Sequence, residues 1–531
     1  MFVLGLIELP TWLVTIGLAI FLFYIYTSRK HNVFKNSGIP AITPTPFLGG
    51  FPLLKKGVMQ CEYDATVEHG KVAGFFLGNL PTVFCTDPDV IREIFVKRFS
   101  EFPSRSQAAG IAQFWEKTIL LCTDLHFWKF LRTIMSPTFT SGKLRKMDDL
   151  ILQCINGAVK RIEDKVGDTT DTVIDMVPTF QGLTLEVICQ SALGVDIDTE
   201  EKSTAELRKQ ISQLLFFSLE KNPLLTLLFL IPDIKKLYML LDIDYNNTKA
   251  IAYIQESLKS VIQERKKESN SDKQDLLQLM INSQRQHGKG DETPTENTKP
   301  VWDEKLKADH NDNGVDANKP SRGMSDEEII ANAIMFLFAG FDTTSTALIF
   351  TSYFLATELD YQERIVQEIE EKIGADDPNY ENIQQLNYLD MFISESMRIF
   401  PPITRINRQL THSMTIGKYT FPANISVTCP LYTLHRLPEF WPEPEKFDPE
   451  RFSSENKSNI KPYTYLPFGA GPRNCLGMRF ANMELKMALV KLLQKFRFKP
   501  STELTIPPKL DKHVFCRPVG GMKLILEKRK H

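Results

Sequence analysis

The stretch from Phe468 to Gly477 (Phe-Gly-Ala-Gly-Pro-Arg-Asn-Cys-Leu-Gly) restricts what this chain can become more than any other segment. Gly471 and Gly477 remove side chains where the backbone must turn sharply or approach a flat group. Arg473 sets a fixed cation two residues before Cys475. From Leu476 to Phe496 the apolar residues Met478, Ala481, Leu485, Ala488, Leu489, Leu492 and Leu493 recur at helical spacing. That spacing predicts a helix with Cys475 at its N-terminus, where the dipole and free backbone N–H groups favour a thiolate. A free cysteine is most often a plain buried thiol. The loop around this one reads instead as a means of delivering a sulfur to a metal.

The chain has 531 residues and 43% apolar content, ample for a large core. Length alone suggests several domains. One large catalytic domain is the simpler reading, because the candidate site residues span most of the chain. The formal net charge of −2 gives no general attraction to nucleic acid. The eight cysteines are scattered, with no C-x-x-C pair, which suits a reducing compartment.

Thr11 to Tyr26 is nearly continuous apolar sequence and ends at Arg29-Lys30-His31. Its length approaches the roughly 20 residues that a membrane helix needs. No basic segment precedes it and no small-residue cleavage site follows it. We therefore expect an uncleaved signal anchor at residues 1–28, single-pass, with the basic flank and the catalytic bulk on the cytosolic side. Residues 29–55 form a basic linker stiffened by Pro40, Pro44, Pro46 and Pro52. Residues 56–531 make up the catalytic domain.

Within that domain, Val72 to Cys85 reads as a small sheet turning at Gly78-Asn79, and helical patterns dominate from Asp89 to Arg265. Leu214 to Leu241 is strongly apolar but broken by Glu220, Lys221, Pro223 and Pro232. It suits either core or a surface dipping into a bilayer. Residues from about 285 to 324 are polar and read as an exposed or disordered insertion. Ser325-x-x-Glu328 is a capping box opening a long apolar helix through about Glu358, followed by a charged amphipathic helix from Asp360 to Lys372. Gly469-x-Gly471 is only a fragment of a dinucleotide fingerprint, so the chain need not bind NADPH itself.

Three further constellations stand out, each with a plain structural reading beside the chemical one: an ion-paired helix turn, a surface acid–base pair, and a core tryptophan next to a solvated arginine. Ala339-Gly340-Phe341-Asp342-Thr343-Thr344 lies in the long helix, where an acid and two hydroxyls are costly unless hydrogen-bonded. Ala339 and Gly340 are small enough to admit a flat ligand, and Thr343 is placed to bond back to a carbonyl and open the helix locally. Glu395 and Arg398 fall at i, i+3 on one helical face, with Arg451 downstream. Trp128 and Arg132, at i, i+4, align an indole and a guanidinium suited to a carboxylate.

Together these residues resemble the cytochrome P450 superfamily. Phe468, Gly471, Arg473, Cys475 and Gly477 fit its cysteine-ligand loop F-x-x-G-x-R-x-C-x-G, and 339–344 fits its oxygen-activation motif. The segments Leu386 to Met391, Leu434 to Arg436, Trp441 to Phe447 and Pro472 to Phe480 are most similar to the microsomal steroid- and drug-metabolising branch, family three. The resemblance implies a mainly α fold with small β-sheets (α+β) around haem b, with Cys475 as the axial thiolate and sole metal ligand. It implies Trp128, Arg132, Arg405 and Arg473 on the propionates, with Arg105 a weaker candidate. Thr343 would hydrogen-bond dioxygen, the co-substrate, and Asp342 would feed protons. Glu395, Arg398 and Arg451 would form a structural ion network, and Phe338, Ile403 and Phe515 would line the substrate pocket. The implied activity is a monooxygenase of the endoplasmic reticulum acting on a steroid, fatty acid or xenobiotic. Its electrons would come from NADPH through NADPH-cytochrome P450 reductase, with cytochrome b5 as a further candidate partner. A haem-thiolate isomerase or synthase working on peroxides, or a non-enzymatic haem scaffold, are the rival readings; the Asp342-Thr343 pair argues against both.

Overall fold

The computed structural model describes residues 2–3, 7–8, 10–105, 113–167, 171–198, 202–214, 223–241, 248–267, 275–285, 322–512 and 514–529. The polar insertion therefore falls, at 286–321, outside the described residues.

Helix α1 (Thr11–Ser28) projects from the body. It and the central helix are both apolar enough to cross a membrane, with a mean hydropathy of 1.6 each. Their surroundings separate them: the central helix is 83% buried in the protein and α1 only 6%. The foot of α1 is tied to the Pro223–Leu241 segment, where Tyr26 donates to Asp233 at 2.5 Å and Arg29 pairs with the same carboxylate at 3.2 Å. In that segment Leu228 and Phe229 pack inward while Leu224, Leu237, Leu240 and Leu241 remain exposed. Leu228 and Phe229 meet the core expectation for part of this stretch, and residues 215–222 lie outside the described residues.

Strands β1 (Val72–Leu77) and β2 (Leu80–Cys85) form the expected hairpin about Gly78-Asn79. Asp124 caps the next helix of importance, α2 (Leu125–Met135), by accepting from the Phe127 N–H at 2.5 Å; α2 carries Trp128 and Arg132 inward. Helix α3 (Asp148–Val166), strand β3 (Val173–Asp175) and helix α4 (Met176–Ile188) follow.

Helix α5 (Asp326–Thr357) is the axis of the fold. Ser325 and Glu328 close the predicted capping box. Each acid of the first turn also meets a cation: Asp326 on Lys266 at 2.5 Å, Glu327 on Lys117, and Glu328 on Arg322 at 2.6 Å. These charges favour the positive end of the helix dipole. Helix α4 lies closely along α5, and Thr184 donates to the Phe341 carbonyl at 2.9 Å.

Helix α6 (Asn387–Ile399) leads into β4 (Arg405–Leu410), and β5 (Ile425–Pro430) completes a four-stranded sheet of order β1–β2–β5–β4. Helix α7 (Met478–Lys495) runs directly into β6 (Phe496–Pro500), which joins β7 (Lys523–Lys528) and β3 in a second sheet of order β6–β7–β3. Helices dominate and the sheets are small, as the α+β resemblance implies.

Candidate active site

Local backbone chemistry shapes the cysteine loop. Gly469 and Gly471 adopt φ of +75° and +72°, the left-handed region. A Cβ on Gly471 would overlap the Phe95 carbonyl oxygen, so both conformation and space require glycine there. Gly477 is different: its φ is −88°, and a Cβ would meet Phe139 at an ordinary 3.6 Å. Neither strain nor protein crowding demands glycine at that position. The Cys475 N–H donates to the Phe468 carbonyl at 2.9 Å, closing the loop, and α7 starts three residues on.

Of the eight cysteines, Cys475 alone is exposed. Desolvation pushes its thiol up, while the Gly477 N–H and the Arg132 and Arg105 guanidiniums pull the other way without cancelling that effect. A coordinating metal ion deprotonates such a thiol outright.

Four guanidiniums gather near this loop. Arg132 donates to the Asn474 carbonyl at 3.1 Å and to its side-chain oxygen at 3.0 Å. Arg473 donates to the Cys122 carbonyl at 2.9 Å and lies 5.1 Å from the Trp128 ring centre. Arg105 reaches the Arg473 carbonyl at 3.4 Å. Arg408 comes from β4, donates to the Asn407 carbonyl at 2.8 Å and stacks 4.5 Å from Phe95. Burial pushes Arg105 and Arg132 down to about 10, and Arg408 is driven well below its usual value by burial and by its neighbours Arg105 and Arg473. Each of the four keeps a buried Nε–H with no acceptor. Among the described residues, no carboxylate pairs with any of them. Clustered buried cations without an anion are costly. The set therefore fits a bound group carrying two carboxylates, as haem does.

Arg405, expected in this set, lies elsewhere. It contacts Glu62 at 2.8 Å, and Glu62 is fully buried. Arg408 instead stands near Arg105 and Arg473. Three residues apart on a strand, the two arginines face opposite ways. Arg408 was missed because the sequence does not reveal which parity of β4 faces the loop.

Helix α5 opens a single face. Along a helix buried almost throughout, Ala339 is exposed and Gly340 and Thr343 are half-buried. Thr343 donates to the Ala339 carbonyl at 2.7 Å, the predicted back-bond, but the helix continues unbroken through it. The expected local opening does not occur. Gly340 also needs a different account: a Cβ there would sit 2.7 Å from the Ile188 side chain, so its smallness serves the α4–α5 packing. Asp342 is buried and its carboxylate accepts from Arg517 at 2.7 Å. Sequence reasoning missed Arg517, since nothing local joins residues so far apart in the chain.

Phe338, Ile403 and Phe515 meet. The Phe338 and Phe515 rings lie edge to face at 5.7 Å between centres, and Ile403 bridges to Phe515 through backbone. Residues 106–112 lie outside the described residues. Arg398 donates two hydrogen bonds to Glu395, at 2.7 and 2.8 Å, with all exposure lost on both. Arg451 adds a contact to Glu395 at 3.4 Å, and the Arg398 guanidinium also bonds the His435 carbonyl at 2.9 Å.

Comparison with known proteins gives the family. The family model "Cytochrome P450" matches residues 39–526. Cytochrome P450 3A6 of Oryctolagus cuniculus is 35% identical over 513 residues, 96% of this chain and 95% of the relative. Cytochrome P450 3A7 of Homo sapiens is 35% identical over 506 residues, covering 95% and 94%. Cytochrome P450 3A13 of Mus musculus is 33% identical over 519 residues, covering 97% and 96%.

Proposed function

The chain belongs to the cytochrome P450 family and is a haem monooxygenase, and from that premise we propose that it oxygenates lipophilic small molecules at a membrane surface with electrons from NADPH. The observation that carries the reading is the cluster of buried Arg132, Arg408 and Arg473 with half-buried Arg105, paired with no carboxylate among the described residues, near the exposed Cys475. When bound, haem supplies dioxygen binding and activation, and a thiolate ligand favours O–O cleavage.

The chain's own residues divide the remaining work. Cys475 holds the metal, with the Gly477 N–H directed at its sulfur. The four arginines neutralise the propionates and fix the cofactor's orientation. Thr343 presents a hydroxyl on the open face of α5, and Asp342 next to it carries protons inward from solvent. Phe338, Ile403 and Phe515 offer an apolar wall, which recognises neutral or weakly polar substrates and excludes water.

The absence of a nicotinamide or flavin motif assigns electron supply to a separate reductase, with cytochrome b5 as a second donor. The reductase would dock on the Cys475 side, where Lys129, Lys143, Arg145, Lys146 and Arg479 would add positive charge for an acidic partner. Helix α1 would anchor the enzyme in the endoplasmic reticulum membrane with its catalytic domain in the cytosol.

The test is reconstitution with a flavoprotein reductase in phospholipid vesicles, using isotopically labelled dioxygen and a panel of steroids, fatty acids and xenobiotics. The reading predicts NADPH-dependent product carrying one labelled oxygen atom. Unlabelled product formed from an organic peroxide without NADPH, and no labelled product from any substrate, would replace it with a peroxide isomerase.

A further inference from the structure

Two contacts between α5 and the C-terminal loop form a ladder with two rungs. Phe338 meets Phe515, with ring centres 5.7 Å apart, and Asp342 meets Arg517 at 2.7 Å. On the helix the partners are four residues apart, a rise of about 6 Å. On the loop they are two apart, about 6.6 Å if extended. The spacings match, so both rungs can form at once. The loop is held near-extended there: Phe515 bridges to Ile403, and the Cys516 N–H donates to the Pro402 carbonyl at 3.3 Å. The intervening Cys516 is wholly buried. The rungs also touch each other, because the Arg517 guanidinium lies 5.3 Å from the Phe515 ring centre.

Arg517 is the only ion partner of Asp342 among the described residues, and its Nε–H is buried with no acceptor. An acid held this way passes protons on poorly until the pair loosens. We propose that Arg517 is a positioning residue that holds Asp342 in check, and that substrate pressing on Phe515 shifts the loop and frees Asp342 to carry protons. Pocket occupancy would thereby be coupled to proton delivery through one short segment. The inference rests on the monooxygenase reading above.

The test uses the full-length, haem-loaded enzyme in vesicles with reductase, as wild type, Arg517→Gln, Arg517→Lys, Asp342→Asn, the Gln/Asn double variant and Phe515→Ala. Two properties are read: thermal unfolding, and product formed per NADPH oxidised with its solvent deuterium isotope effect, for a small and a bulky substrate. We expect non-additive shifts in melting temperature for Arg517 and Asp342, which establishes the pair. Wild type should convert NADPH to product more efficiently with the bulky substrate. Arg517→Gln should erase that difference and change the isotope effect, Arg517→Lys should restore both, and Phe515→Ala should erase the difference with the pair intact. Additive melting shifts, or an Arg517→Gln enzyme with the wild-type isotope effect and substrate-size dependence, would overturn the proposal. A wild-type enzyme giving no labelled product would instead overturn the monooxygenase reading, whatever the melting data say about the pair.

Discussion

Arg405 and Arg408 stand three residues apart on β4 and serve opposite faces of its sheet. Arg405 contacts buried Glu62 at 2.8 Å, while Arg408 lies with Arg105 and Arg473 near the cysteine loop. One strand thus braces the helix Val58–His69 on one side and places a cation near the cysteine loop on the other.

This separation predicts two distinct failures. Arg408→Gln should fold and lose haem, read as a lower haem-to-protein ratio after gel filtration. Arg405→Gln should keep that ratio in its folded fraction but lose stability, because it strands a buried carboxylate. At pH 8 we expect a loss of about 3 kcal/mol in denaturant unfolding. The loss should be smaller at pH 6, where Glu62 can take up a proton instead.

Glu62 makes the stability of the protein depend on pH. Burial pushes its carboxyl up to about 7, and the Arg405 attraction only partly opposes this. Arg405 reaches Glu62 at 2.8 Å, and that contact leaves the carboxylate poorly compensated for its burial. A folded value above the unfolded one means that the folded protein binds the extra proton between them. The associated stability is complete below the ordinary glutamate range, about 4.3, and is lost as pH rises through about 7. Melting temperatures of wild type and Glu62→Gln across that window should converge at the acid end and separate in favour of Gln at the alkaline end. Parallel profiles would show that Glu62 is already ionised.

Gly471→Ala and Gly477→Ala differ by one methyl at two positions of the same loop. The first meets a positive φ and the Phe95 carbonyl, the second neither. Gly471→Ala should abolish haem retention, and Gly477→Ala should retain most of it. Equal loss in both would mean that the cofactor, rather than the protein, demands the glycine at 477.

Arg398 satisfies Glu395 with two parallel hydrogen bonds and spends a third on His435. Arg398→Ala leaves a buried carboxylate short of its main partner and should cost about 3–5 kcal/mol. Arg398→Lys should recover little, since an ammonium cannot bridge both oxygens. Chemical denaturation of the purified variants measures both.

Much of the site was legible because its signals are local. The capping box at Ser325, the i, i+4 pair on α2, the hairpin at Gly78-Asn79 and the cysteine loop each depend on a few neighbouring residues. What escaped depends on distance or parity. Arg408 could not be told from Arg405 without knowing which way β4 faces. Gly340 looked like room for a ligand, while its neighbour is Ile188 on another helix. Arg517 joins Asp342 across 175 residues, which no spacing rule reaches. Thr343 made its predicted back-bond without opening α5, because the helix is packed along its length.

The central claim is that Cys475 is the thiolate ligand of a haem held by the four arginines. The carbon monoxide difference spectrum of the reduced, detergent-solubilised protein tests it most directly. The account predicts the strongly red-shifted Soret band of a thiolate-ligated complex in wild type, lost in Cys475→Ala. A wild-type band at the position of neutral-thiol or histidine ligation that persists in freshly prepared, haem-replete protein, or one unaffected by Cys475→Ala, would contradict it.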